Sequence, residues 1–583
     1  MPARSPGGSV VLFHGWLDNR AALADRLGVP RDTAPPVLYG LAVEKLGDDA
    51  DLAAIGDYCA ITADPATGRT RLSRSALNAP PLHYHHDGEL LVASSVPRAI
   101  FAAGVPMAID EQKLADSLVG NFREEERSFY QALAQVPIGA TVTIGTAPAK
   151  ARRFYSLANV PPIAPISDED CIARARELLA EATRCALDGF ANPGICLSGG
   201  LDSAQIAAEM LRQMPDGQRL PSFTFTPDPD WDREIGDDIM GDERPFVEAF
   251  AAQHPSLDPH FFDNAGIGFD ERMDDMLLAT GVPASGLPNM YHYHALWRAA
   301  RDAGCDMMVV ADFGNQTFSN DARWAYAEFF RRGRWIELYR LLRDRPGDGR
   351  SVLRKFLSLC VLNALPMPLH RLVRRIVHGS APTSRRMTAI NPQFAERTHA
   401  FERLDSGTHH WDRYAPRTRR EEITREFFNG NPESEDVRQG FEQLYNVAWR
   451  TIPAYRPLVE FCWSLPTEKF ARGGVTRWLA RAMAEGVLPD EQRSNLRMGQ
   501  HSVDWHTRIG RDRQRWSDDL ARWEEIPQVA ETVDLGRMRR LLNEDWPTRT
   551  SWNRDVFLSI ALGVPRAIMN GRFVAMVNGR NDR

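Results

Sequence analysis

The sequence predicts an α/β protein in two parts. A β-rich domain fills residues 1–155, a linker follows at 156–166, and a doubly wound parallel sheet with a helical C-terminal part occupies 167–583. Three observations predict this. Short apolar runs alternate with turn signals up to Tyr155, as strands do. Residues 195–203 read as a buried strand, a glycine turn and the start of a helix. Two further apolar runs, at 223–226 and 307–310, are separated by helical periodicity, the pattern of a parallel sheet. At 65.5 kDa the chain is too long for one core.

Composition narrows the class. The formal charge is −7, so there is no basic footprint for nucleic acid. The seven cysteines are odd in number and scattered, which predicts reduced core thiols in a cytoplasmic protein. The first eight residues are polar and carry no signal-peptide pattern. The apolar run at 356–365 is too short to span a bilayer and is expected as a buried helix, so no membrane partner is predicted.

In the first part, residues 10–13 lead into a turn at 17–20, residues 38–46 read helical, and 57–61 form a strand before Asp64-Pro65. Residues 82–84 and 90–93 bracket a hairpin turn at Asp87-Gly88. His83, His85 and His86 have metal-like spacing, but no acidic or cysteine partner is read as accompanying them. Pro161, Pro162 and Pro165 mark the linker, and Ser167 with Asp170 caps the next helix.

The stretch Leu197-Ser198-Gly199-Gly200-Leu201-Asp202-Ser203 carries the chemistry. Two residues without Cβ let the backbone approach a ligand closely, and the following helix N-terminus offers unpaired N–H groups with positive partial charge. That suits a polyanion. Ser198 and Ser203 add hydroxyls, whereas Asp202 suits a phosphate only across a divalent cation, so the reading is a pyrophosphate site with Mg2+. Phe225 and Thr226, beyond the next strand, are expected to flank adenine together with Leu197 through backbone groups. Asp242-Glu243 either favours a helix N-terminus or supplies ligands. After the third strand, Gly314 keeps a turn, and Asp312, or the amide oxygen of Asn315 or Gln316, is placed to help hold the metal.

These residues carry a resemblance. The Ser198–Ser203 motif resembles the signature of ATP pyrophosphatases that adenylate a substrate, and the order of the whole chain is similar to asparagine synthetases. The first part resembles their glutaminase domain, an N-terminal-nucleophile αββα fold, through Gly15 with Asn19, residues 56–60, Arg74, residues 81–84 and residues 93–95. That glutaminase needs an N-terminal cysteine. Position 2 is Pro2 and the first cysteine is Cys59, which implies a degenerate domain unable to hydrolyse glutamine. Gln316-Thr317 stands where the family has an Asp-Glu pair.

The ending at 499–505 looks most like lasso peptide cyclases, which form macrolactams. In β-lactam-forming relatives a lysine near this point stabilises the adenylate. None follows Lys469 here, and Arg497 is the nearest cation. The resemblance implies ATP and Mg2+ as cofactors, with Asp202, Asp312 and Arg497 as catalytic residues. It implies a precursor peptide as substrate, and a leader-binding protein and a cysteine-protease-like protein as partners. A small-molecule ligase and a peptide-binding pseudoenzyme are the alternatives. Residues 375–440, rich in Arg, Thr, Asn and Pro, are expected as an irregular insertion or lid over a peptide cleft.

Overall fold

The computed structural model describes residues 2–145, 149–236, 239–284, 289–345, 348–378, 383–405, 416–423 and 433–579. Its first part is antiparallel. Strands β1 (Ala3–Arg4), β2 (Val10–Gly15), β3 (Tyr58–Asp64), β4 (Arg69–Arg74), β8 (Ala140–Ile144) and β9 (Lys150–Arg153) lie in that order in one sheet. A second sheet has β5 (His83–His86) between β6 (Leu91–Ser94) and β7 (Ala134–Gln135). The helix expected at 38–46 is Pro35–Leu46, begun by two prolines that suit a first turn.

The second part is built on five parallel strands in the order β13 (Leu257–Phe262), β11 (Leu220–Phe225), β10 (Pro193–Cys196), β14 (Met307–Val310), β15 (Ala448–Thr451). Both faces are buried, as a parallel sheet requires. Ile195, Leu197, Met307 and Val309 enter one core; Phe223, Met308 and Val310 enter the other. From β10 the chain builds outward through β11 and β13, then returns to β14 on the opposite side. The order therefore reverses beside β10, and the crevice at such a reversal is where doubly wound sheets bind ligands.

Helix Asp168–Leu187 starts as its sequence demands, with Ser167 Oγ accepting the Asp170 N–H at 3.0 Å. Buried ion pairs join the two parts: His83–Asp436 at 2.9 Å, Lys113–Glu433 at 2.9 Å, and Arg450 with Asp18 at 2.5 Å and Asp57 at 3.4 Å. The partner of His83 is thus the distant Asp436, while Asp87 lies 3.5 Å from His85. Among the described residues, no group of three or more His, Cys, Asp or Glu could hold a metal.

Two expectations need correction. The run at 356–365 is amphipathic and not buried: Leu359 and Cys360 face the core, while Leu357 and Val361 are exposed. Within 375–440 the described residues are largely helical and not irregular, and Phe394, Ala395, Ala400 and Leu404 sit in the core; residues 379–382, 406–415 and 424–432 of that expected insertion or lid lie outside the described ones. Arg554–Val577 is long and apolar enough to cross a membrane, but 78% of its apolar window is buried inside the protein, as in a core helix.

Candidate functional site

The glycine turn leaves β10 and feeds helix Leu201–Gln213, whose N-cap residue Gly200 has no side-chain cap. The first N–H groups of this helix therefore lack the acceptor that a Ser or Asp cap would supply. Ser203 Oγ accepts the Ser198 N–H at 3.1 Å and lies 2.8 Å from Ser198 Oγ, which in turn accepts the Gly200 N–H at 3.2 Å. Both serine hydroxyls thus brace the turn from inside. The Gly199 N–H points elsewhere, to Glu243 Oε2 at 3.2 Å. A carboxylate already occupies the position that an anionic ligand oxygen would take.

Close packing explains the glycines. A Cβ on Gly199 would lie 3.1 Å from Phe246 Cβ and 3.3 Å from Glu243 Cβ. Gln492 Nε2 donates to Gly199 O at 3.2 Å, and β12 (Ile239–Met240) pairs with β18 (Met498–Gly499), so residues 239–243 and 492–500 arch over one side of the turn. Ser198 and Gly200 stay half-exposed on the other side.

Asp202 is the second residue of the helix and is buried, yet its Oδ1 has no hydrogen-bond partner. Burial raises its pKa above the ordinary carboxylate range; the charge of Arg477 and the Ser319 hydroxyl pull the other way. Gly314, from the loop after the adjacent strand β14, presses on the same carboxylate: a Cβ there would lie 2.5 Å from Asp202 Oδ2. Asp312 is two residues earlier. It reaches solvent, but enough protein surrounds it to raise its pKa, against the charges of Arg438 and His501. Glu243 is likewise raised by burial, opposed by His501 and the Gly199 N–H.

Burial thus raises the pKa of all three carboxylates, and Asp202 carries a buried unpartnered oxygen. Carboxylate oxygens of this kind suit a hard divalent cation. Asp202 and Asp312 would hold it.

The adenine-flanking expectation changes in detail. The Leu197 N–H donates to Phe223 O at 3.0 Å, Leu197 O accepts from Thr224 Oγ1 at 2.8 Å, and the Thr226 N–H donates to Phe262 O at 2.9 Å. Sheet formation engages these backbone groups first. What remains is the buried Thr226 Oγ1, which has no partner. The Phe225 ring packs on His292, centroids 3.8 Å apart, and burial lowers the pKa of that imidazole well below its ordinary value. Leu201 anchors the helix in the core.

Arg497 is exposed, and its N–H donates to Asn495 Oδ1 at 2.9 Å. The arginine whose charge acts on Asp202 is instead Arg477, half-buried at the N-cap of helix Trp478–Met483 with φ +57°, just after the hairpin of β16 (Ala471–Arg472) and β17 (Val475–Thr476). Arg477 follows the Gly473-Gly474 hairpin and precedes a helix; nothing local pointed it at the crevice. Asp504 and Trp505, part of the ending that looked cyclase-like, lie in the core, where Asp504 accepts from Tyr291 Oη at 2.7 Å and Arg508 Nε at 2.9 Å.

The fold sets a glycine turn and an uncapped helix N-terminus at the switch point of a parallel sheet. The chain belongs to the asparagine synthase family, whose model matches residues 174–428 and 454–563, more than half its length. Membership supports ATP-dependent ligation. No curated protein gives a significant match. Two solved structures show weak likeness. One is the glutamine phosphoribosylpyrophosphate amidotransferase from B. subtilis complexed with ADP and GMP (14% identity, 53% of this chain, 63% of that one, TM-score 0.21). The other is the U34-tRNA thiolase NcsA from Methanococcus maripaludis with its [4Fe-4S] cluster (14% identity, 49% and 85%, TM-score 0.19). The chain thus spans less than two thirds of the amidotransferase.

Proposed function

We propose that the chain is an ATP-dependent lasso peptide cyclase. It activates the side-chain carboxylate of an Asp or Glu in a precursor peptide as an acyl-adenylate, releasing pyrophosphate. The N-terminal amine of the peptide then attacks the acyl carbon, forming the isopeptide bond of a macrolactam and expelling AMP. A leader-binding protein and a cysteine-protease-like protein are the expected partners.

The observation that carries the ligase chemistry is the unpartnered Asp202 carboxylate beside the uncapped helix N-terminus, with Gly314 closing on it from the neighbouring strand. The uncapped N–H groups bind the departing phosphates, and Glu243 yields the Gly199 N–H to them. Mg2+ bound by Asp202 and Asp312 would neutralise the negative charge of the phosphate oxygens. Arg477, held near Asp202, takes the electrostatic role that the sequence suggested for Arg497.

One observation favours an amine carried by the substrate itself. Cys59, the only cysteine in residues 1–155, is buried and its thiol is pushed up to about 12 by burial, so it is no nucleophile for glutamine. A small-molecule ligase shares that feature. Pyrophosphate exchange into ATP separates the two: exchange stimulated by an Asp- or Glu-bearing peptide and not by free aspartate is expected, and the reverse result sinks the cyclase reading. Exchange with neither would leave a peptide-binding pseudoenzyme.

A further inference from the structure

The helices that follow the sheet strand β14 expose apolar side chains that the ligase site does not use. Trp335, Ile336 and Tyr339 share the outer face of helix Trp335–Arg343, opposite the buried Leu338, Leu341 and Leu342. Leu353, Leu357 and Val361 form the next exposed stripe, along Val352–Phe356 and the wider turn Leu357–Val361. The two stripes are locked together by Phe330, whose ring lies 5.7 Å from Trp335 and 5.5 Å from Phe356. Leu369, Leu372 and Ile376 then repeat the pattern at helical spacing on Met367–His378. Exposures are high: 67% for Ile336 and Leu353, 74% for Ile376 and 56% for Trp335. Side chains this exposed project into solvent and do not line a cleft.

The charge between them is one-sided. Residues 331–378 contain twelve Arg and Lys against three acids, in a chain whose formal charge is −7. Arg331, Arg332, Arg340, Arg343, Arg350 and Arg354 are exposed. Arg343 and Arg350 bond Asp344 and Asp348, but Arg340 and Arg354 form no ion pair among the described residues.

We infer that this face binds the surface of an anionic lipid bilayer, peripherally, with Trp335, Ile336 and Leu353 entering the interface and the arginines meeting lipid phosphates. Projecting Leu, Ile and Trp side chains need no complementary pocket in a bilayer, and Trp and Tyr favour its headgroup level. Interleaved arginines supply attraction to negative headgroups. Because the rest of the chain carries an excess of acids, attraction to such a surface favours this face and so biases the orientation. The same excess of like charge disfavours a second copy as the occupant.

The full chain is sedimented with phosphatidylglycerol/phosphatidylcholine vesicles and with pure phosphatidylcholine vesicles. At low salt the bound fraction is expected to be at least about tenfold higher on the anionic vesicles, and to fall steeply near about 0.5 M salt as screening sets in. The double variants I336D/L353D and R340E/R354E should each lower partition about tenfold or more, with pyrophosphate exchange unchanged because none of these residues touches the crevice. No partition of the wild-type chain, or equal partition of both variants, overturns the inference. So does a wild-type chain that ignores vesicles but self-associates in sedimentation velocity through the same side chains, which would assign the face to a protein contact.

Discussion

Asp51 and Asp202 are each the second residue of a helix, each is buried, and they have opposite surroundings. Asp51, in helix Ala50–Ala53 of the β-rich part, accepts from Tyr39 Oη at 2.8 Å and Tyr58 Oη at 3.0 Å and is paired with Arg71. Asp202, at the crevice of the parallel sheet, leaves an oxygen unpartnered and has its pKa raised by burial. A buried carboxylate saturated by donors holds a fold together, whereas one left short of donors keeps capacity for a ligand. Asp51 thus serves the fold of the first part, while Asp202 keeps an oxygen unpartnered at the crevice of the second.

The largest effects should come from exchanging these roles. Asp202→Asn removes the charge that a cation needs, so ATP–pyrophosphate exchange should fall by about 10³-fold, the several kcal/mol that metal-held charge stabilisation supplies. The same variant should unfold in denaturant at no lower a midpoint, because an uncompensated buried charge is gone. Asp51→Ala should do the reverse: it strands the Arg71 guanidinium and two buried hydroxyls, with a loss of about 3–5 kcal/mol by equilibrium unfolding. Equal damage to stability from both variants would erase the distinction.

Gly314 tests whether the crevice is as tight as the geometry says. A Cβ 2.5 Å from Asp202 Oδ2 must push the carboxylate or the loop aside. Gly314→Ala should therefore cost about 1–3 kcal/mol by overpacking and lower exchange more than it lowers stability would suggest, since the displaced group is the reactive one. Exchange measured beside a denaturation curve separates these. The two arginines come next. Arg477→Ala should lower exchange about tenfold, the scale of one charge-assisted contact, while Arg497→Ala should change it within about twofold, as an exposed substitution does. A larger loss from Arg497 would restore the assignment that the resemblance implied.

How much of this was legible in the sequence follows from range. The apolar run into Ser198-Gly199-Gly200 and the Ser167 cap are local, so the strand, the turn, the helix start and Asp202 could all be read directly. Glu243 lies 44 residues from the glycine whose N–H it accepts, and no pattern near either residue signals the contact. Arg477 has a left-handed backbone conformation, rare for a residue with a Cβ and invisible in composition, and its charge reaches Asp202 across a long stretch of sequence. Some of the backbone groups expected to meet adenine, at Leu197 and Thr226, are engaged within the sheet for a related reason: a strand's N–H groups go first to its neighbouring strands. At 375–440, weak periodicity hid the core contacts because Phe394, Ala395, Ala400 and Leu404 are sparse among polar residues.

Glu442 lies between the two aspartates in character and gives the smallest and sharpest test. It sits on helix Glu433–Tyr445 and accepts one N–H, from Trp449 at 2.8 Å. Burial raises its pKa from 4.5 to about 7, with the Trp449 N–H and the charges of Arg438 and Arg450 opposing. The unfolded chain therefore releases this proton near pH 4.5 while the folded chain holds it to about 7, so the folded state binds more protons in between. Stability contributed by this group is present below about pH 4.5 and is lost as pH rises to about 7. Glu442→Gln keeps the acceptor for Trp449 but cannot ionise, and its urea midpoint should fall less than that of the wild type between pH 5 and pH 7. A parallel pair of pH profiles would mean that the single N–H already satisfies the charged form, which would place Glu442 with Asp51 and not with Asp202.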